Sequence, residues 1–158
     1  MKTILIPCFL FLSLLGCKSS QETKENLSET TTKTKRVIKD LPQITYSEKT
    51  RGFSYVIQVK DVDVLIERRG VNGEETRTLK LSTDQLKKLK ESYADIEIEN
   101  INDFVSEETK RFSDASRIAS IQFQTADQLY ISNDFDSGNA PQELKNIVSL
   151  VSALDTKK

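Results

Sequence analysis

The chain has 158 residues, with 23 Lys+Arg against 24 Asp+Glu, no His, no Trp and two Cys. That length suits one domain with little to spare, and the near balance of charge argues against a nucleic-acid partner, because phosphate neutralisation needs a basic surplus. Lack of His excludes His-based triads, His general bases and His-ligated zinc or haem. Both cysteines, Cys8 and Cys17, fall in the first 17 residues, so the body of the chain has neither a disulfide nor a thiolate nucleophile. Two classes remain: a small binding domain, or an enzyme working through carboxylates, Lys, Ser or Tyr.

Residues 1–16 read as a signal peptide. Lys2 provides a positive start and Ile4 to Leu15 an apolar run. At 1.5 Å per residue that run reaches about 18 Å, short of the roughly 30 Å hydrocarbon core of a bilayer. It ends in Leu14-Leu15-Gly16-Cys17, which resembles the bacterial lipobox. The resemblance implies cleavage before Cys17, a thioether-linked diacylglycerol on its sulfur, and further acylation there. Each buried CH₂ contributes about 0.8 kcal/mol, so two or three chains on one residue anchor stably. Lys18, rather than Asp, follows the Cys, and the same resemblance then implies the outer membrane.

Residues 17–36 form a tether. Between Lys18 and Lys35 the only aliphatic residue is Leu27, too little apolar surface to offset the entropy of ordering. About 20 residues of such chain reach roughly 25 Å. The domain can therefore stand clear of the headgroups.

Residues 37–158 carry the folded part. Gln43–Ser47 reads as a short first strand, with Arg51-Gly52 turning into a second, where Phe53, Tyr55, Ile57 and Val59 alternate with other residues at period two. A tight turn near Lys60-Asp61 leads to a third strand through Glu67. Asn72-Gly73 predicts a type I′ hairpin, returning along Thr76 to Leu81. Ser82 and Gln85 make a capping box for a helix with Leu86, Leu89 and Tyr93 on one face. Two further strands are expected at Ile118–Thr125 and Leu129–Ser132. A closing helix, capped by Asn139 or Ala140 with Pro141 near its first position, carries the stripe Leu144, Ile147, Val148, Val151 and Leu154. A strand meander, a helix, two strands and a helix mean α+β: an antiparallel sheet with two helices packed on one face.

Four stretches in that order, Ile44-Thr45-Tyr46-Ser47, Arg51-Gly52-Phe53-Ser54, Leu81 to Leu86, and Asp136 to Leu144, resemble landmarks of a family of small bacterial lipoprotein domains. One branch is emfourin, a proteinaceous inhibitor of thermolysin-like metalloproteases. The resemblance implies this fold and a protein-binding role. It assigns no inhibitory residue.

Candidate chemistry is sparse. Glu91, Asp95, Glu97, Glu99, Asp103, Glu107 and Glu108 fall in a stretch without Lys or Arg, which fits a cation or basic partner. A solvated edge with isoleucines in and carboxylates out is the preferred reading. Asp134 to Gly138 hints at a calcium loop, but counting from Asp134 puts Asn139 and Lys145 where Gly and Glu are required. A turn fits better. Arg68, Arg69, Arg77 and Lys80 flank the hairpin as a possible basic ridge, against the plainer alternative of solvent-facing positions. Phe53, Tyr55 and Tyr130 are possible partner anchors or core. There is no G-x-S-x-G, P-loop or CxxC, so no cofactor and no metal is expected. The expectation is a membrane-tethered, non-enzymatic domain that binds a protein of the cell envelope. The alternatives are an emfourin-like protease inhibitor and a carboxylate-based polysaccharide hydrolase, which needs two acids in one cleft.

Overall fold

The computed structural model describes residues 40–106 and 117–155. The signal peptide, Cys17, the tether, Glu107 and Glu108 lie outside these residues. Four long strands come first: β1 Gln43–Thr50, β2 Phe53–Lys60, β3 Asp63–Gly70 and β4 Gly73–Lys80. Helix α1, Thr83–Ala94, follows, then a 3-10 helix at Ile98–Asp103, strands β5 (Ile118–Gln124), β6 (Leu129–Ile131) and β7 (Phe135–Asp136), and helix α2, Lys145–Ser152. The strands make one antiparallel sheet in the order β4-β3-β2-β1-β5-β6, with β7 also paired to β5. The α+β class and the open antiparallel sheet agree with the sequence reading.

Period-two alternation sends one side chain in two onto the helix-covered face. Along the sheet, Leu79, Val64, Val59, Ile44 and Phe123 make one row of register partners on that face. Ile66, Ile57, Tyr46 and Ile121 make the next. Ile44, Ile57, Val59, Ile121 and Phe123 are fully buried, each contributing about 1.5–3 kcal/mol relative to exposure. From the helices, Leu89, Tyr93, Ile147, Val148 and Val151 complete the same core. The Tyr93 ring packs 5.4 Å from that of Phe123 at a tilt of 37°. The α1 capping box forms as expected, with the Ser82 N–H donating to Gln85 Oε1 at 2.8 Å and the Gln85 N–H to Ser82 Oγ at 3.2 Å. No helix among the described residues is long and apolar enough to cross a membrane.

Three local expectations are corrected. The first strand runs to Thr50, three residues past Ser47, because its pairing with β2 and β5 continues through Glu48 and Lys49. The β3–β4 loop is Val71-Asn72, not Asn72-Gly73. Gly70 pairs with Gly73, and the positive φ falls on Gly73 (113°), not on Asn72. Only glycine takes that angle without a Cβ clash. Helix α2 starts at Lys145, not at Asn139 or Ala140, and its N-cap position, Leu144, has no side-chain cap. Asn139 is held elsewhere, its N–H on the Asp136 carbonyl (2.8 Å) and its own carbonyl accepting from Ser106 Oγ (2.7 Å). The Ile96–Glu99 stretch, by contrast, leads into a 3-10 helix with Ile96 and Ile98 buried and Glu97 and Glu99 exposed, as the sequence reading has them.

Candidate functional site

On the helix-covered face, the row beyond Tyr46 and Ile57 turns polar: Glu75, Arg68, Tyr55, Glu48 and Ala119 are register partners there. The apolar packing cannot close over such a row. A cleft of about 730 Å³ opens at this end of the sheet, between Tyr46, Glu48 and Tyr55 and the exposed side of α2, where Lys145, Ser149 and Ser152 stand. Phe53, Arg68 and Arg117 line the sheet side, and Ser137 and Gly138 the rim. That volume lies within the range of small-ligand sites, roughly 300–1,000 Å³.

Two buried carboxylates organise the polar groups. Glu48 is 8% exposed. It accepts from Tyr46 Oη at 2.7 Å through Oε1 and from Arg117 Nη1 at 3.2 Å through Oε2. The Arg117 guanidinium, half exposed, also lies 4.4 Å from the Phe53 ring centroid, a cation–π contact that steadies it. Asp155, at 4% exposure, accepts from Tyr55 Oη at 2.8 Å, from Arg77 Nη2 at 2.5 Å and from Arg68. Arg68 in turn sits 5.2 Å from the Tyr55 ring centroid. Among the described residues no buried side-chain polar atom lacks a partner. A satisfied network of this kind rigidifies the surface it forms.

Both phenols are held protonated. Burial pushes the Tyr46 hydroxyl far above its ordinary value, the neighbouring Glu48 adds to this, and Ser137 and Ser152 act weakly the other way. Burial does the same for Tyr55, reinforced by Asp155 and opposed by Arg68. Each phenol donates its hydrogen to a carboxylate.

The other sequence candidates disperse. The four cations around the hairpin form no ridge: the pleat places Arg68 and Arg77 inward on Asp155, while Arg69 pairs with Glu74 (3.3 Å) and Lys80 with Asp63 (2.6 Å) in exposed contacts. Glu91, Asp95, Glu97, Glu99 and Asp103 are all exposed. No group of three or more acidic, His or Cys side chains among the described residues is placed to hold a metal ion. Within Asp134 to Gly138, read as a turn, Phe135 and Asp136 pair with β5 as β7. Of the aromatic anchors, Tyr55 and Phe53 reach the cleft, whereas Tyr130 lines a separate groove at the opposite end of the covered face. Glu48 is the single carboxylate among the residues lining the cleft. The sequence reading passed over Glu48 and Asp155; the available signal was Glu48 in phase with the buried positions Ile44 and Tyr46. No family model, curated protein or solved structure matches the chain.

Proposed function

We propose that the chain is a lipoprotein of the bacterial outer membrane, anchored through diacylglycerol on Cys17, whose α+β domain binds a protein of the envelope and performs no chemistry itself. The lipobox-like Leu14 to Cys17 and the polar tether to residue 36 support the anchor. The observation carrying the domain's role is the engagement of the two buried carboxylates at and behind the cleft. Glu48 and Asp155 are engaged by two and three donors respectively, and the phenols beside them stay protonated. Carboxylates engaged in this way support a fixed recognition surface rather than acid–base or covalent catalysis. Wild-type chain expressed in a bacterial host should sediment with membranes and be released by detergent, while Cys17→Ser should remain in the soluble fraction. Equal sedimentation of both would remove the anchor. Crosslinking of the anchored chain in its native envelope tests the binding role, which fails if no protein is captured.

A second reading, inhibition of a thermolysin-type metalloprotease, is favoured by one observation. Three of the four stretches carrying the emfourin resemblance meet at the cleft, through Tyr46, Phe53, and Ser137 with Gly138. Titrating the chain against such a protease should abolish its activity at micromolar excess. Undiminished activity would dismiss this reading.

A further inference from the structure

Counting the cleft and the clamp behind it, four cations (Arg68, Arg77, Arg117 and Lys145) face three carboxylates, Glu48, Asp155 and Glu75. This is a positive island in a chain whose formal net charge is −1. The surplus is also the accessible part. Arg68 and Arg77 are spent on Asp155, whereas Arg117 has a half-exposed side chain and gives one nitrogen to Glu48. A guanidinium carries five N–H donors. Lys145, exposed on the helix side of the cleft, has no ion-pair partner among the described residues.

Between these cations the surface offers acceptors and apolar area. The hydroxyls of Ser137, Ser149 and Ser152 stand along its wall, and Phe53 adds apolar surface. A ligand fitting this pattern carries a carboxylate for Arg117 and Lys145, polar groups for the serine hydroxyls, and some apolar surface for Phe53. Peptide chain supplies all three.

We infer that the cleft binds a peptide segment of the partner through its carboxylate, either a C-terminal α-carboxylate or an acidic side chain. This rests on the binding role proposed above. The contact is wet and electrostatic, so it weakens as salt rises.

The test uses the full-length chain in detergent micelles and fluorescently labelled hexapeptides sharing one apolar sequence. One ends in a free carboxylate, one is amidated with a central Glu, one is amidated and neutral, and one is amidated with a central Lys. Anisotropy should show binding of the first or second, whichever source the cleft reads, at least about tenfold tighter than the neutral peptide, since a charge-assisted bond has roughly twice the strength of a neutral one. The Lys peptide should not bind. Arg117→Gln should weaken binding about tenfold. Lys145→Gln, an exposed position whose loss leaves the fold intact, should weaken it about threefold, as for exposed charge pairs. Equal affinity for acidic and neutral peptides, no binding at all, or wild-type affinity in both variants would overturn the inference. The envelope crosslinking separates the two levels: capture that is undiminished in Arg117→Gln and Lys145→Gln ends the peptide inference and leaves the binding role standing. No capture by wild type ends the binding role itself.

Discussion

Replacing Asp155 by Ala is expected to lower the stability of the domain by about 3 kcal/mol. The carboxylate is almost fully buried beyond the end of α2 and is the common acceptor for Tyr55, Arg68 and Arg77. Removing one member of a buried pair costs about 3–5 kcal/mol because its partners lose their counter-charge. Here the Arg68 and Arg77 side chains are 31% and 26% exposed and can turn partly to water, which sets the loss at the lower end. Urea unfolding should show a lower midpoint with an unchanged slope, and the melting temperature should fall by about 12 °C or more. Asp155→Asn keeps an acceptor for Tyr55 but turns an N–H toward a guanidinium, so it should fall between wild type and Ala. A loss below about 1 kcal/mol for Asp155→Ala would mean that this clamp does not fasten α2 to the sheet.

The second large effect is on the alkaline side. Tyr46 and Tyr55 have folded-state pKa values raised above the unfolded value of about 10. Below that pH both states are protonated and their contribution is fully present. As pH rises beyond it, the unfolded chain releases protons that the folded chain retains, so stability falls, by up to about 2.7 kcal/mol per pH unit for the two together. Urea midpoints measured between about pH 9 and pH 11 should therefore drop steeply, and Tyr55→Phe should halve the slope. Phenolate absorbance of the native protein should lack the contribution of these two rings until unfolding. If both titrate near pH 10 in the folded state, the burial and carboxylate contacts assigned to them are wrong.

Where neighbours in sequence decide the structure, the sequence was readable. Phe53 to Val59 alternate because one face of β2 is buried, and Ser82 with Gln85 names the start of α1 because a capping box needs only residues three apart. The hairpin after β3 was misplaced by one residue, since glycine following a turn and glycine within it read alike in Asn72-Gly73. The start of α2 was placed too early for a different reason. Ser106, more than thirty residues upstream, holds Asn139 in the preceding loop. The site was the least legible part. Glu48 looks like an ordinary strand-end charge until β5 pairs alongside it and brings Arg117. Asp155 meets Tyr55 across 100 positions of sequence. Periodicity reports which face a residue takes, not which distant charge waits there.

The placement of Asp155 also sets the order in which the molecule can be finished. A polypeptide delivered from its amino end presents Tyr55, Arg68 and Arg77 long before the acid that neutralises them, and β1 waits likewise for β5 on its second edge. Until then the early hairpins have one long side without hydrogen-bond partners and three donors without an acceptor. Contacts of such large separation form slowly. Closure of this clamp therefore belongs to the long-range contacts of the fold, the kind on which folding rate depends most strongly.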